Sequence, residues 1–445
     1  MKLIYFLLFL LILLLGCDRS EPAQETQSPA PVNKAAQTTA PVQTAKLFHA
    51  PVEPRIYELP AEALITWRQY EAQKPVLVIL ADQPYLSPLP QPLQAEALEL
   101  LQNGTDAELG RRADYDQPDP LIISPQAVRA ALQAKLFSEV VWLLPDDRPI
   151  GEFSWAIMTE QLRVNGLLAA DQELALDDEP GIARLQVEAK ILTLVHPDAW
   201  SNLQLAAPVL LHLDLSYFKS TYRSEARIPV YELITTLARM LRAMELEVVA
   251  ITLSYSTLDG YVDLDGRFTL PALATLMREP QRLAEPLPLA WKLRAQALNH
   301  LTMFNETEAT RLYRELLALA PRDPAALYDV ATRLFYAKQL VAGLELIDRA
   351  VGLDPGYVVT YLALAEQAIK AGDSKNAIEL LQKYQQLAPD NPGIKLRLAE
   401  LFKQQGRVME AQSLLAELAK LPWSPVYHAQ LPALIEGMRN APESR

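Results

Sequence analysis

Hydrophobic and polar positions divide this chain into four stretches of different period. Residues 3–15 are a nearly unbroken apolar run behind Met1 and Lys2. Residues 18–50 are rich in Ala, Pro, Thr, Gln and Ser and carry few large apolar side chains. From 51 to 285 short apolar runs alternate with stretches of helical period. The runs at 76–80, 121–124, 140–144, 185–195, 209–215 and 248–254 predict strands. The patterns over 61–73, 91–102, 125–135, 153–163, 229–244 and 269–278 predict helices. Strands that are apolar throughout and separated by helices predict a mostly parallel sheet covered on both faces, a three-layer α/β domain over 51–285.

From 286 onward only the helical period remains, and it recurs. Pro321, Pro355 and Pro389 stand 34 residues apart. So do Ala297, Ala331, Ala365 and Ala399, and so do Ala309, Gly343, Ala377 and Ala411. The larger residues Tyr313, Ile347, Leu381 and Leu415 keep the same phase. Small residues at two offsets let antiparallel helices approach closely, and the larger ones fill between them. A 34-residue period of this kind resembles the tetratricopeptide repeat. The resemblance implies an all-α solenoid of four repeats over 286–425, with 426–445 as capping helix and tail. It also implies a concave groove lined by the first helix of each repeat. By phase the groove residues are Arg294, Tyr328, Thr332, Phe335, Tyr336, Leu362, Glu366, Lys370, Arg397 and Glu400. Aromatics for anchoring and scattered charges for register suit an extended peptide or a partner helix. The alternative is that the repeats only cover the chain's own α/β domain.

The first apolar run is too short to span a bilayer and fits the core of a signal peptide, residues 1–16. Its end, Leu14-Leu15-Gly16-Cys17, resembles the bacterial lipobox, with Leu15 bulkier than usual. The resemblance implies cleavage before Cys17 and its acylation, which holds a protein firmly to a membrane. Asp18 resembles the enterobacterial signal for inner-membrane retention. The expectation is a lipid-anchored protein of the bacterial envelope facing the periplasm, on the inner membrane in preference to the outer. Residues 17–50 cannot bury enough surface to repay ordering and read as a disordered tether.

Composition narrows the choice further. Cys17 is the one cysteine among 445 residues, which excludes an internal disulfide framework and a cysteine-based zinc site. The net charge is −13, a poor match for nucleic acid. Residues 286–445 hold 18 basic and 17 acidic residues, so about −15 falls on 51–285. Two units with different surfaces follow.

Ligands of parallel sheets bind beyond the carboxyl ends of strands. There the chain carries Ala81-Asp82-Gln83-Pro84-Tyr85, His196-Pro197-Asp198, His212-Leu213-Asp214-Leu215-Ser216-Tyr217-Phe218 and Ser254-Tyr255-Ser256-Thr257-Leu258-Asp259-Gly260-Tyr261. The third segment resembles the D-x-D-x-F strand end of arginase-like ureohydrolases and of an uncharacterised family related to them. The fourth resembles the S-P-x-x-G-Y segment of that uncharacterised family. The resemblance implies two metal ions held between a D-x-H-x-D strand end and the D-x-D. Asp214 matches the first acid, but Ser216 stands where the second should be. The earlier motif falls on 81–85, which keeps at most Asp82 and no histidine. The expectation is a non-catalytic relative with no cofactor. Asp214, Ser216, His212 and Asp82 are the residues to watch, and a metal-dependent hydrolase with an atypical site is the alternative. His196/Asp198 with His212/Asp214 would form a single-metal site if their strands are neighbours. Asp263-Leu264-Asp265-Gly266 is half a calcium loop and reads as a hairpin turn. The leading reading is an interaction scaffold working through the repeat groove, and a third reading is an assembly factor for an envelope complex whose α/β domain binds a small ligand such as a glycan.

Overall fold

The computed structural model describes residues 44–440, apart from 170, 206, 207 and 223. The leader, Cys17 and Asp18 lie outside the described residues. Nine strands form one sheet: β1 Ala45–Lys46, β2 Arg55–Tyr57, β3 Val76–Leu80, β4 Glu139–Leu143, β5 Ala175–Leu176, β6 Ile182–Val187, β7 Lys190–Val195, β8 Val209–Asp214 and β9 Glu247–Ser254. Their order is β1-β9-β8-β3-β4-β7-β6-β5, with β2 also paired to β9. The five strands from β9 to β7 run parallel, as does β2, whereas β1, β6 and β5 are antiparallel additions.

The central strand shows why the run at 76–80 is apolar at every position. Val76, Val78 and Leu80 join one buried cluster, and Leu77 and Ile79 join another on the opposite face. A strand buried on both sides loses the polar alternation of a half-exposed one. The helix Val230–Ala243 covers the first face with Val230, Ile234, Leu237, Ala238 and Leu241 at helical spacing.

Four sequence expectations are corrected. Residues 121–124 form no strand: the Leu121 and Ile122 N–H groups bond back to Arg112 O at 2.8 and 3.3 Å, and Pro120 and Pro125 deny the flanking donors a ladder needs. The run 185–195 is a hairpin, β6 and β7 joined at Glu188-Ala189, where Glu188 takes φ 54 without the glycine that marks such turns. The fold starts before residue 51, since Leu47 and Phe48 are fully buried against the sheet. Residues 263–266 are a helical turn leading into Thr269–Arg278 and not a hairpin.

The C-terminal part is a solenoid of four helix pairs: Leu289–Thr302 with Glu306–Leu319, Pro324–Tyr336 with Leu340–Leu353, Val359–Lys370 with Ser374–Leu387, and Pro392–Gln404 with Val408–Leu418. A last helix, Leu431–Asn440, buries Ile435 against Ala399, Leu415 and Leu418. The small residues do what their spacing demands: Ala297, Ala331, Ala365 and Ala399 have no exposed surface. Gly343 is needed for space, because a Cβ there would lie 2.3 Å from the Phe335 ring. One apolar cluster runs without a break from the first face of the sheet into the solenoid as far as Ala411.

Candidate functional site

The strand order reverses between β3 and β8: β4 and β7 lie to one side of β3, and β8 and β9 to the other. A crevice at such a switch point is where open α/β sheets hold ligands. Asp82, His212, Asp214 and Ser216 meet there. Asp214 is fully buried. Its Oδ2 accepts bonds from the hydroxyls of Ser254 and Ser256, the latter at 2.7 Å, and its Oδ1 accepts the Ser216 N–H at 2.8 Å. His212 is equally buried, with Nδ1 3.0 Å from Thr252 Oγ1, Nε2 3.4 Å from Ser254 Oγ and its ring edge-on to Trp67. Burial pushes the imidazole pKa down to about 4, so the ring is neutral near pH 7.

Asp82 differs from its neighbours. One of its oxygens accepts a bond from the Tyr261 hydroxyl, and the other is buried without a partner. Burial raises its pKa. A cavity of about 390 Å³ opens beside it, lined among others by Gln83, Trp142, Asp146, Arg148 and Asn165. The donor set does not fit a two-metal centre. Ser216 offers a hydroxyl where a bridging carboxylate is needed, and Asp214 already accepts three hydrogen bonds. Among the described residues no three His, Cys, Asp or Glu gather closely enough to hold a metal ion. The pairing of His196/Asp198 with His212/Asp214 is not formed either, because β4 and β3 separate β7 from β8.

A second constellation joins the sheet to the solenoid. The loops that follow the second helix of the second, third and fourth repeats lie on the α/β domain. Asp354 takes both Nε and Nη2 of Arg267 at 2.8 and 2.7 Å. Asn391 reaches Asp116 at 3.5 Å, and Ser424 donates its N–H to Pro118 O at 2.7 Å. His428 Nε2 lies 2.9 Å from Gln117 O, and the Tyr427 hydroxyl donates to Gln126 at 2.9 Å. Arg267 is the centre of this seam. It is 1% exposed, its guanidinium lies 3.6 Å over the Tyr255 ring, and it binds both Glu58 oxygens as well as Asp354. Burial alone would lower its pKa, but the two carboxylates more than reverse this and hold it charged. Gly356 is required here, since a Cβ would stand 2.0 Å from Arg267 Nη2.

The groove residues divide into two groups. Arg294 is buried, paired with Asp323 and Asp329 at 3.0 Å and 3.4 Å from the Tyr231 hydroxyl of the α/β domain. Tyr328 packs on Tyr357, and Asp265 of the α/β domain bonds it and raises its pKa together with burial. Thr332 donates back to Asp329 O, Phe335 fills the space over Gly343, and Leu362 is half-buried. The rest face outward. Tyr336, Lys370 and Arg397 are exposed, Arg397 bridges to Glu366 at 2.9 Å, and burial raises the pKa of half-buried Glu400.

Residues 368–421 match the tetratricopeptide repeat family. The C-terminal part of this chain is therefore a tetratricopeptide-repeat solenoid. A stretch of 148 residues, 33% of the chain, is 31% identical to "Cellulose synthase 2 operon protein C" of Komagataeibacter xylinus, of which it covers 11%. The chain thus spans about a tenth of that relative. Among solved structures, PilF of Pseudomonas aeruginosa is 19% identical over 41% of this chain and 86% of its own, at a TM-score of 0.25. A tetratricopeptide-repeat protein of Thermus thermophilus is 18% identical over 41% of this chain and 98% of its own, at 0.22. Scores this low align part of the chain and establish nothing more.

Sequence reasoning missed Arg267, which ties the repeats to the sheet. The signal was a lone arginine inside Gly266-Arg267-Phe268-Thr269-Leu270, a place where an unpaired charge would be costly. Its partner Asp354 lies 87 residues away, beyond the reach of local patterns.

Proposed function

We propose that this chain is a lipid-anchored envelope protein that acts as an interaction scaffold or assembly factor through its repeats. Cys17 would carry the anchor, with Asp18 favouring the inner membrane and the fold facing the periplasm. The α/β domain, read as a three-layer support, would fix the solenoid in place without catalysing a reaction. The observation that carries this reading is the division of the groove. Arg294 and Tyr328 turn to the α/β domain, and Tyr336, Glu366, Lys370, Arg397 and Glu400 are left toward a protein or peptide partner. The relative's name ties that protein to a cellulose synthase operon, which supports work beside an envelope assembly and does not name the partner.

A second reading is a membrane-tethered metal-dependent hydrolase with an atypical site. The unpartnered oxygen of Asp82 beside the cavity speaks for it. Metal analysis by plasma mass spectrometry on protein purified without chelator separates the two. Substoichiometric metal is expected. A stoichiometric transition metal that is lost on Asp214→Ala would overturn the scaffold reading and direct attention to amide or guanidino hydrolysis.

A further inference from the structure

The inter-repeat loops rest on the α/β domain, so the turns within each repeat form the opposite edge of the solenoid. These turns hold four residues 34 apart with positive φ: Phe304 at 57°, Lys338 at 61°, Gly372 at 77° and Gly406 at 70°. Glycine is the residue that adopts this conformation without cost. Phe304, like Lys338, takes it against preference, and the residue is 89% exposed. Neither folding nor solubility explains a strained, solvent-facing phenylalanine, and such outliers concentrate at functional positions.

Phe304 is not isolated. Met303 is exposed beside it, and Tyr336, Val341 and Met409 stand out from the same edge at 72%, 71% and 84%. Glu306 and Arg333 pair at 2.7 Å between the first two turns, and Arg333 lies 4.5 Å over the Tyr336 ring, so these two turns form one patch, with Met409 standing apart on the fourth. The other charges along the turns are Lys338, Lys370, Lys375, Lys403 and Arg407 against Glu308, Asp373 and Glu410, a basic excess on the later turns, where Arg407 pairs with Glu410 and Lys403 donates to Met438 O. The chain as a whole carries −13, and the α/β domain behind the opposite edge carries about −15.

We propose that this edge lies on an anionic lipid surface, with Met303, Phe304, Tyr336, Val341 and Met409 entering the headgroup boundary. Apolar tips among basic residues match the interfacial mode of membrane binding, and a bilayer of negative charge repels the acidic domain while it attracts these turns. The polarity of the molecule therefore sets its orientation. The proposal goes beyond the groove reading; it shares with it the membrane and two residues at the groove's rim, Tyr336 and Lys370.

Hydroxyl-radical footprinting of the full chain on vesicles tests it residue by residue. On phosphatidylethanolamine with phosphatidylglycerol, Met303, Phe304, Tyr336 and Met409 should be oxidised severalfold more slowly than exposed Tyr115 of the α/β domain, after normalisation to accessible area. Replacing phosphatidylglycerol by phosphatidylcholine, or adding salt, should remove most of the protection. Phe304→Gly suits the turn better than phenylalanine and should keep the fold while protection at Met303 and Tyr336 falls. Flotation reports the anchor separately. Oxidation that follows exposure alone overturns the proposal, whether or not the chain floats. So does protection that depends on protein concentration and not on anionic lipid, which would mark contact with a second copy.

Discussion

Phe304 and His212 show how single residues carry opposite preferences in this fold. Phe304 occupies a left-handed position that Gly372 and Gly406 fill in later repeats, and its exposed ring contributes little packing. Phe304→Gly should therefore raise stability by about 0.5–1 kcal/mol, read as a higher midpoint in thermal unfolding. His212 is held neutral by burial, with its pKa lowered from 6.5 to about 4. The unfolded chain binds the proton first as pH falls. Stability present above pH 6.5 is then lost progressively down to about pH 4, by of order 3 kcal/mol in total. Denaturant titrations across that window should show the slope in the native chain and a shallower one in His212→Gln.

At the scale of elements, the seam between sheet and solenoid depends on Arg267. Removing its charge leaves Glu58 and Asp354 facing each other half-buried without a counter-ion. Arg267→Met should cost about 3–5 kcal/mol in chemical denaturation. Gly356→Ala should act the same way, by displacing the guanidinium, and cost less if the loop gives. The elements on either side of this seam were legible to different degrees. The runs at 76–80 and 248–254 and the 34-residue series were readable because burial on both faces and close helix approach leave local periods. The strand β1 and buried Leu47 and Phe48 sit in a Pro- and Ala-rich context and are ordered only by Val248 and its neighbours. The turn at Glu188-Ala189 has no glycine or asparagine to announce it. The candidate site was legible in part. Asp82, Asp214 and Ser216 follow apolar runs and do meet, but the separation of His196 from His212 depends on strand order, which no local pattern encodes.

A single apolar cluster extends from the sheet into the fourth repeat, which predicts that the molecule unfolds as one cooperative body. Unfolding of the native chain should show one transition by both near- and far-ultraviolet circular dichroism. Arg267→Met should separate it into two, the α/β domain and the repeats. The groove residues of the later repeats lie away from this seam, on the side where the proposed partner would dock. The most direct test is photocrosslinking in cells from position 397, on the exposed side of the fourth repeat's first helix. The scaffold account predicts one discrete protein adduct that disappears on Glu366→Lys/Lys370→Glu charge reversal. Crosslinks that are absent, or diffuse and unchanged by the reversal, would contradict it.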